Sequence, residues 1–262
     1  MWCSMELSSR RVDKIKAIIL AAGYATRLYP LTLNIPKPLL KIKKDKAVID
    51  FIIDDLQANP FIDEMIVVTN HKFYRDFSEW AKKRKKKIPL TVLDDGTRSN
   101  DDRLGAIGDI YFAVKKKKIN SGLLVIGGDN LFDRGFGKFL KFALNKKRFP
   151  SLGLFDIRDR KAASRFGVVS IDKDSEVTCF KEKPLRPKTT LVATCLYYFP
   201  CDTLKRLKEY VLDRTTSKDA PGNYIQWLLN RDTVYGFILK KGHWYDIGHF
   251  DSYKEVVARY NK

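Results

Sequence analysis

Two short segments carry the residues best suited to chemistry. The first runs Leu20-Ala21-Ala22-Gly23-Tyr24-Ala25-Thr26-Arg27 and continues to Ile35-Pro36-Lys37-Pro38-Leu39. Small residues at 21–23, delivered by an apolar run, let the backbone come close to a ligand and present N–H groups to phosphate oxygens. Arg27 and Lys37 add two positive charges to the same loop, and Pro36 and Pro38 restrict the backbone around the lysine. The chain thus offers a polyphosphate cradle, although the Gly-x4-Gly-Lys-Ser/Thr sequence occurs nowhere in it.

The second segment is Gly127-Gly128-Asp129-Asn130. Alone it reads as an ordinary turn. It also follows a short apolar run, and ligands of open α/β sheets bind outside the carboxyl ends of the strands. Asp129 is therefore expected at the same sheet edge as Gly23. A carboxylate facing a polyphosphate loop is electrostatically unfavourable unless a divalent cation lies between them. Mg²⁺, which takes one or two carboxylates plus phosphate oxygens and water, suits that position.

These loops need a sheet to hold them. Short apolar runs over 16–22, 64–69, 88–93 and 123–127 read as buried strands. Stripes at helical spacing (Ile49, Ile52, Ile53, Leu56; Phe73, Phe77, Trp80, Ala81; 106–114; 136–144) read as helices between them. Such βαβ alternation predicts a largely parallel sheet covered on both faces. From Ser151 the pattern becomes strand-rich (153–157, 166–171, 176–180, 191–199). Helices follow over 202–212 and 224–229, then a strand over 234–239 and a last helix over 252–260. No internal repeat or Gly/Ser-rich linker is present, so 14–262 is expected to form one domain behind a flexible basic leader, 1–13.

Composition narrows the classes. With 262 residues, 44% hydrophobic and 31% charged, the chain is expected to be globular. Fifty Lys and Arg against 31 Asp and Glu give a net charge of +19, which invites an anionic partner. The lysine runs (41–46, 82–87, 115–118, 146–147) read as solvated surface and helix ends, and no nucleic-acid-binding module accompanies them. No nucleic-acid partner is expected. The early apolar stretch is too short to span a bilayer and lacks a cleavage region, so no membrane association is expected. Cys3, Cys179, Cys195 and Cys201 form no Cys-x-x-Cys pair and are expected as reduced thiols in a cytoplasm; His71, His243 and His249 lack zinc-ligand spacing.

Five segments in order resemble the sugar-1-phosphate nucleotidylyltransferases, particularly the glucose-1-phosphate thymidylyltransferase-like branch. Residues 20–39 resemble the Leu-Ala-Ala-Gly-x-Gly-Thr-Arg-Leu-x-Pro-Leu-Thr…Pro-Lys-Pro-Leu signature. Gly128-Asp129 matches the metal-binding Gly-Asp. Phe166-Gly167-Val168-Val169 is similar to Tyr-Gly-Val-Val, Phe180-Lys181-Glu182-Lys183-Pro184 to Phe-x-Glu-Lys-Pro, and Trp244-Tyr245-Asp246-Ile247-Gly248 to Trp-x-Asp-Ile-Gly. The likeness extends from Lys16 to about Tyr253. It implies a Rossmann-like three-layer α/β/α nucleotide-diphospho-sugar transferase fold with a mixed, mostly parallel sheet.

The resemblance also implies roles. Arg27 and Lys37 are catalytic contacts to the nucleotide phosphates, and Ala21, Ala22, Gly23 and Gly105 bind the nucleotide. Gly167, Glu182 and Lys183 bind the sugar phosphate, and Asp129 with Asp246 hold Mg²⁺. The implied reaction joins a nucleoside triphosphate, of the pyrimidine type in this branch, to a sugar 1-phosphate, giving an NDP-sugar and pyrophosphate. A homodimer is expected as well. A glycosyltransferase of similar architecture and a catalytically silent nucleotide- or sugar-phosphate-binding homologue stand as alternatives. Three departures bear on this: Ala25 replaces a common glycine, Phe166 a common tyrosine, and residues 93–102 lack the Gln-Pro-rich loop of the thymidylyltransferases.

Overall fold

The computed structural model describes residues 14–85, 87–146 and 148–261. The predicted leader, 1–13, lies outside them. In chain order the strands are β1 (Ile15–Leu20), β2 (Lys41–Lys43), β3 (Lys46–Ala47), β4 (Ile62–Thr69), β5 (Leu90–Asp94), β6 (Leu123–Gly127) and β7 (Asn130–Phe132). β8 (Ser151–Asp156), β9 (Gly167–Ile171), β10 (Val177–Glu182), β11 (Leu191–Phe199), β12 (Tyr235–Ile238) and β13 (Trp244–Asp246) follow. The helices are α1 (Val48–Gln57), α2 (Tyr74–Lys82), α3 (Gly105–Lys116), α4 (Gly137–Asn145), α5 (Arg160–Ala163), α6 (Cys201–Leu212), α7 (Pro221–Leu228) and α8 (Phe250–Tyr260).

β1 explains the layering. Its isoleucines are β-branched and fully buried, which suits a central strand covered on both faces. Successive side chains alternate between the faces. Ile15, Ala17 and Ile19 pack with Ile52, Ile53 and Leu56 of α1, Phe77 and Trp80 of α2, and Phe139 and Leu140 of α4. Ile18 faces the other way, onto Ile107 and Ile110 of α3, Leu204 and Leu207 of α6, and Tyr224 and Ile225 of α7. Two apolar cores on opposite faces of one sheet make the three-layer α/β/α arrangement.

The sheet has nine strands, with β10-β9-β11-β6-β1-β4-β5 along its main path and β8 and β12 branching from β11. β6, β1, β4 and β5 pair in parallel, as do β8 and β12. β11 runs against β6, β8 and β9, and β10 runs against β9. Only β10 and β11 therefore oppose the common direction, and the sheet is mixed and mostly parallel.

Register sets the level of the loops. Leu20 of β1 lies beside Gly127 of β6 and Val68 of β4, so three parallel strands end together. Gly128 N–H donates to Leu20 O (2.9 Å) and Ala21 N–H to Val68 O (2.8 Å), which fixes the two loops against the sheet and each other. A smaller core closes over this edge: Leu28, Leu40, Ile42, Leu131, Tyr245, Ile247 and Val256 pack together, joining the first loop to α8.

Five short pieces differ from the sequence pattern. β2–β3 is a small antiparallel hairpin, β7 and β13 form a separate two-stranded antiparallel ladder, and α5 is a single turn. Two single turns of 3₁₀ helix, Thr26–Leu28 and Lys37–Leu39, lie within the predicted phosphate loop. Elements of two to four residues show no hydrophobic period, and the β7–β13 pairing joins residues more than 110 positions apart.

Candidate active site

One cleft of about 570 Å³ opens at the carboxyl edge of the sheet. Ala21, Ala22, Gly23, Arg27, Lys37, Gly105, Asp129, Lys183 and Asp246 all line it. Gly167 and Glu182 lie outside that lining, although Glu182 is 3.8 Å from the Lys183 ammonium.

The loop after β1 presents Gly23 to the cleft. A side chain built there would meet no protein atom within 4 Å, so no packing within the chain demands the glycine. Lys37 is held by its own turn of 3₁₀ helix, with Pro36 extended before it and Leu40 N–H bonding back to Lys37 O (3.1 Å). Its ammonium sits 2.8 Å from Asp129 Oδ2. Burial alone lowers an ammonium pKa, yet Asp129 beside it and Asp246 farther off hold Lys37 above the ordinary lysine value.

Asp129 and Asp246 come together through the β7–β13 pairing. Asp246 pairs with Asn130, and Ile247 N–H donates to Asp129 O (3.0 Å). Asn130 is buried and donates its amide to Asp129 Oδ1 (2.8 Å), while Trp244 Nε1–H donates to Asn130 Oδ1 (2.6 Å). This relay fixes the rotamer of Asp129. Burial, then repulsion from Asp129, raises the Asp246 carboxyl well above the ordinary range, against the pull of Lys37, Arg27 and Lys183. Two carboxylates forced together in this way suit a divalent cation, which would relieve both costs. Among the described residues no group of three or more His, Cys, Asp or Glu could hold a metal. A two-carboxylate site that leaves positions for phosphate oxygens and water fits Mg²⁺ rather than a fully protein-ligated ion.

On the β9–β10 side, Lys183 follows β10 with φ +44° and its N–H bonded to Phe166 O (3.0 Å). Burial raises the Glu182 pKa and Lys183 opposes this. A side chain at Gly167 would run into the Phe180 ring and stand 3.1 Å from Glu182 Oε2, so this glycine makes room chiefly for Phe180. Gly105 has φ +76°, and a Cβ there would stand 2.5 Å from Lys218 O. The glycine at the head of α3 thus answers to the 218–219 segment as well as to the cleft.

The sequence pattern contains Asn130 and Trp244 but gives neither a role, because they act only through the long-range β7–β13 pairing. It also passed over Cys195, Asp95 and Asp109, which line the cleft. Asp109 lies on the buried face of α3, where a carboxyl amid apolar neighbours is itself a signal.

The Nucleotidyl transferase family model matches residues 16–262, and the chain belongs to that family. A glucose-1-phosphate adenylyltransferase of Fusobacterium nucleatum is 30% identical over 253 residues, covering 92% of this chain and 65% of that protein. The glucose-1-phosphate adenylyltransferase of Bacillus subtilis is 27% identical over 92% of this chain and 65% of its own length. The chain therefore spans somewhat less than two thirds of these relatives. In fold it is similar to a Bacillus anthracis structure described as a glucose-1-phosphate thymidylyltransferase in complex with a sucrose (TM-score 0.77, 22% identity, 94% of each chain). It is also similar to a UDP-glucose pyrophosphorylase complexed with UDP-glucose (TM-score 0.78, 20% identity, 95% of this chain and 98% of that one). Among the described residues no helix is long and apolar enough to cross a membrane.

Proposed function

We propose that this chain is a sugar-1-phosphate nucleotidylyltransferase that joins a nucleoside triphosphate to a sugar 1-phosphate and releases pyrophosphate. The observation that carries the reading is the convergence of the phosphate loop, the Asp129–Asp246 pair and Lys183 in one cleft. Arg27, Lys37, Asp129 and Asp246 take the roles that the sequence resemblance implies. Ala21, Ala22 and Gly23 bind the nucleotide with Gly105, and Lys183, Glu182 and Gly167 hold the sugar phosphate. The chain works as one domain over 14–262, and a homodimer is its proposed assembly.

The chemistry needs little from a general base. A phosphate monoester has a second pKa of about 6, so it is already largely dianionic at neutral pH. Its oxygen attacks the α-phosphorus in line, the bond from the α-phosphorus to the α–β bridging oxygen breaks, and pyrophosphate leaves with that electron pair. Repulsion between the two anions is the obstacle. Arg27 and Lys37 offset it on the triphosphate, and Lys183 does so on the attacking phosphate. Mg²⁺ held by Asp129 and Asp246 would neutralise charge on the α-phosphate and the leaving group.

Pyrophosphate release from a triphosphate plus glucose 1-phosphate, dependent on both substrates and abolished by EDTA, is the expected result. A chain that instead consumes an NDP-sugar without releasing pyrophosphate, or binds nucleotide without turnover, would displace this reading. Asp129→Asn removes a carboxylate that both Lys37 and the cation need, and its turnover is expected to fall to background at ordinary Mg²⁺.

A further inference from the structure

Among the described residues four cationic side chains line the cleft: Arg27, Lys37, Arg103 and Lys183. Arg103 pairs with Asp219 (3.1 Å). Lys183 stands on the β9–β10 side, in the sugar-phosphate arm, 3.8 Å from Glu182. Of the four, Lys37 is the one whose ammonium meets a carboxylate of the Asp129–Asp246 couple.

Both oxygens of the Asp129 carboxylate are engaged. Oδ1 accepts from the Asn130 amide, and Oδ2 takes the Lys37 ammonium, each at 2.8 Å. The carboxylate cannot turn to offer a fresh edge without breaking the Asn130 bond, and Asn130 is itself fixed by the Trp244 indole. A divalent cation that takes Oδ2 as a ligand must therefore displace the ammonium, because two cations crowded on one carboxylate oxygen repel strongly. Lys37 does not leave freely. Its side chain is 17% exposed, and its backbone is tied by the bond from Leu40 N–H to Lys37 O. An ammonium pulled off its counter-ion in a partly buried cleft loses charge pairing that water only partly replaces. A triphosphate alters the balance. Lys37 shares the phosphate loop with Arg27, so phosphate oxygens arriving there offer the ammonium a second anion while its backbone stays in place.

Resting on the nucleotidylyltransferase reading, we propose that Lys37 gates the cation site: its ammonium holds Asp129 Oδ2 against divalent cations until triphosphate oxygens draw it off. Cation and triphosphate then bind as a coupled pair. The coupling is reciprocal, so what the cation gains from the triphosphate, the triphosphate gains from the cation. Such a gate keeps the cleft from filling with a divalent ion that no substrate accompanies. It also gives the lysine two successive counter-ions, the carboxylate first and the phosphates second, so that it is never left unpaired.

The test is Mn²⁺ binding to the full chain without substrates, read from the electron paramagnetic resonance signal of the free ion, beside a pyrophosphate-release assay on the unaltered chain. Lys37→Met keeps most of the aliphatic stem and removes the charge. It should bind Mn²⁺ roughly tenfold tighter than the unaltered chain, within the usual range of coupling between two sites. A lysine that only contacts phosphate would leave Mn²⁺ affinity unchanged. Adding Asp129→Asn to Lys37→Met should abolish the gain, which locates the ion. On the unaltered chain, the complex with an α,β-methylene triphosphate should hold Mn²⁺ about tenfold or more tighter than the chain alone or the analogue alone. Mn²⁺ binding by Lys37→Met no tighter than by the unaltered chain would overturn the proposal, as would a gain that survives Asp129→Asn. Should Lys37→Met fail to fold, the unaltered chain decides: Mn²⁺ bound as tightly by the chain alone as by its analogue complex would overturn the gate. Pyrophosphate release beside any of these failures leaves the nucleotidylyltransferase reading in place. The expected Mn²⁺ gain without turnover on any triphosphate and sugar 1-phosphate would keep the gate and displace that reading. Failure of Mn²⁺ to bind the chain, the variant and the analogue complex would sink both.

Discussion

At Gly23 the absent side chain is informative because nothing in the protein fills its place. A Cβ would meet no protein atom within 4 Å, so a larger residue should leave the folded chain intact and obstruct only what enters the cleft. Gly23→Val is expected to weaken triphosphate binding roughly 10–100-fold, the equivalent of about 1–3 kcal/mol of overpacking, with a melting temperature close to the parent's. A fall in melting temperature that accounts for the lost binding would return this glycine to a structural role. Lys183 makes a complementary case. Its ammonium is more than half exposed and 3.8 Å from Glu182, too loose a pair to matter for stability. Lys183→Ala should therefore raise the KM for the sugar phosphate about tenfold or more, the worth of a charge-assisted hydrogen bond, and leave the KM for the triphosphate nearly unchanged. Parallel changes in both constants would remove Lys183 from the sugar-phosphate arm.

At the scale of elements, the β7–β13 pairing decides whether Asp129 and Asp246 meet. Trp244 packs against Phe155 and Phe166 and sends its indole N–H to Asn130, which orients Asp129. Trp244→Phe keeps an aromatic ring in place and removes the donor. Loss of such an outer partner typically costs about 10–100-fold in metal affinity, and the Mg²⁺ dependence of turnover should shift toward higher concentration by that order. An unchanged Mg²⁺ profile would mean that Asn130 holds Asp129 unaided. The same pairing shows where the sequence was legible. The apolar runs of β1, β4 and β6 and the stripes of α1 and α2 are long enough to show their period, so the sheet and its helix layers could be read directly. The phosphate loop was legible because its small and cationic residues are consecutive or nearly so. Three-residue strands carry no period, and the relay from Trp244 through Asn130 to Asp129 exists only once the chain has folded. Asp95 and Asp109 were hidden for a further reason: 14 positions and a change of element separate them, and only the packing of α3 beside β5 turns two ordinary aspartates into a pair.

Across the whole molecule, stability should carry the mark of carboxyls buried against their preference. Asp55 on α1 and Asp109 on α3 lie on helices covering opposite faces of the sheet. Burial first, then a neighbouring carboxylate, raises Asp55 to about 6 and Asp109 to about 8, from an ordinary value of 3.8. The sign follows from proton counting. Between 3.8 and its raised value each group keeps its proton in the folded chain and has lost it in the unfolded one. Folding then takes up protons, and stability falls as pH rises through that window. From pH 4 to 6 both groups contribute to the decline. From 6 to 8 Asp109 is the one of the two still titrating, and above 8 neither contributes further. The net charge of +19 works the other way only weakly, because three histidines are few charges to remove over this range. A metal-free melting series is thus expected to fall between pH 5 and 8.5. Asp246, raised to about 7, adds its own share in the metal-free chain, so Asp109→Asn should end the decline near pH 7, and adding Asp55→Asn should make the remaining fall shallower, since changes on opposite faces of the sheet should add. A melting temperature that climbs steadily from pH 5 to 8.5 would show that these two carboxyls are ionised in the folded chain.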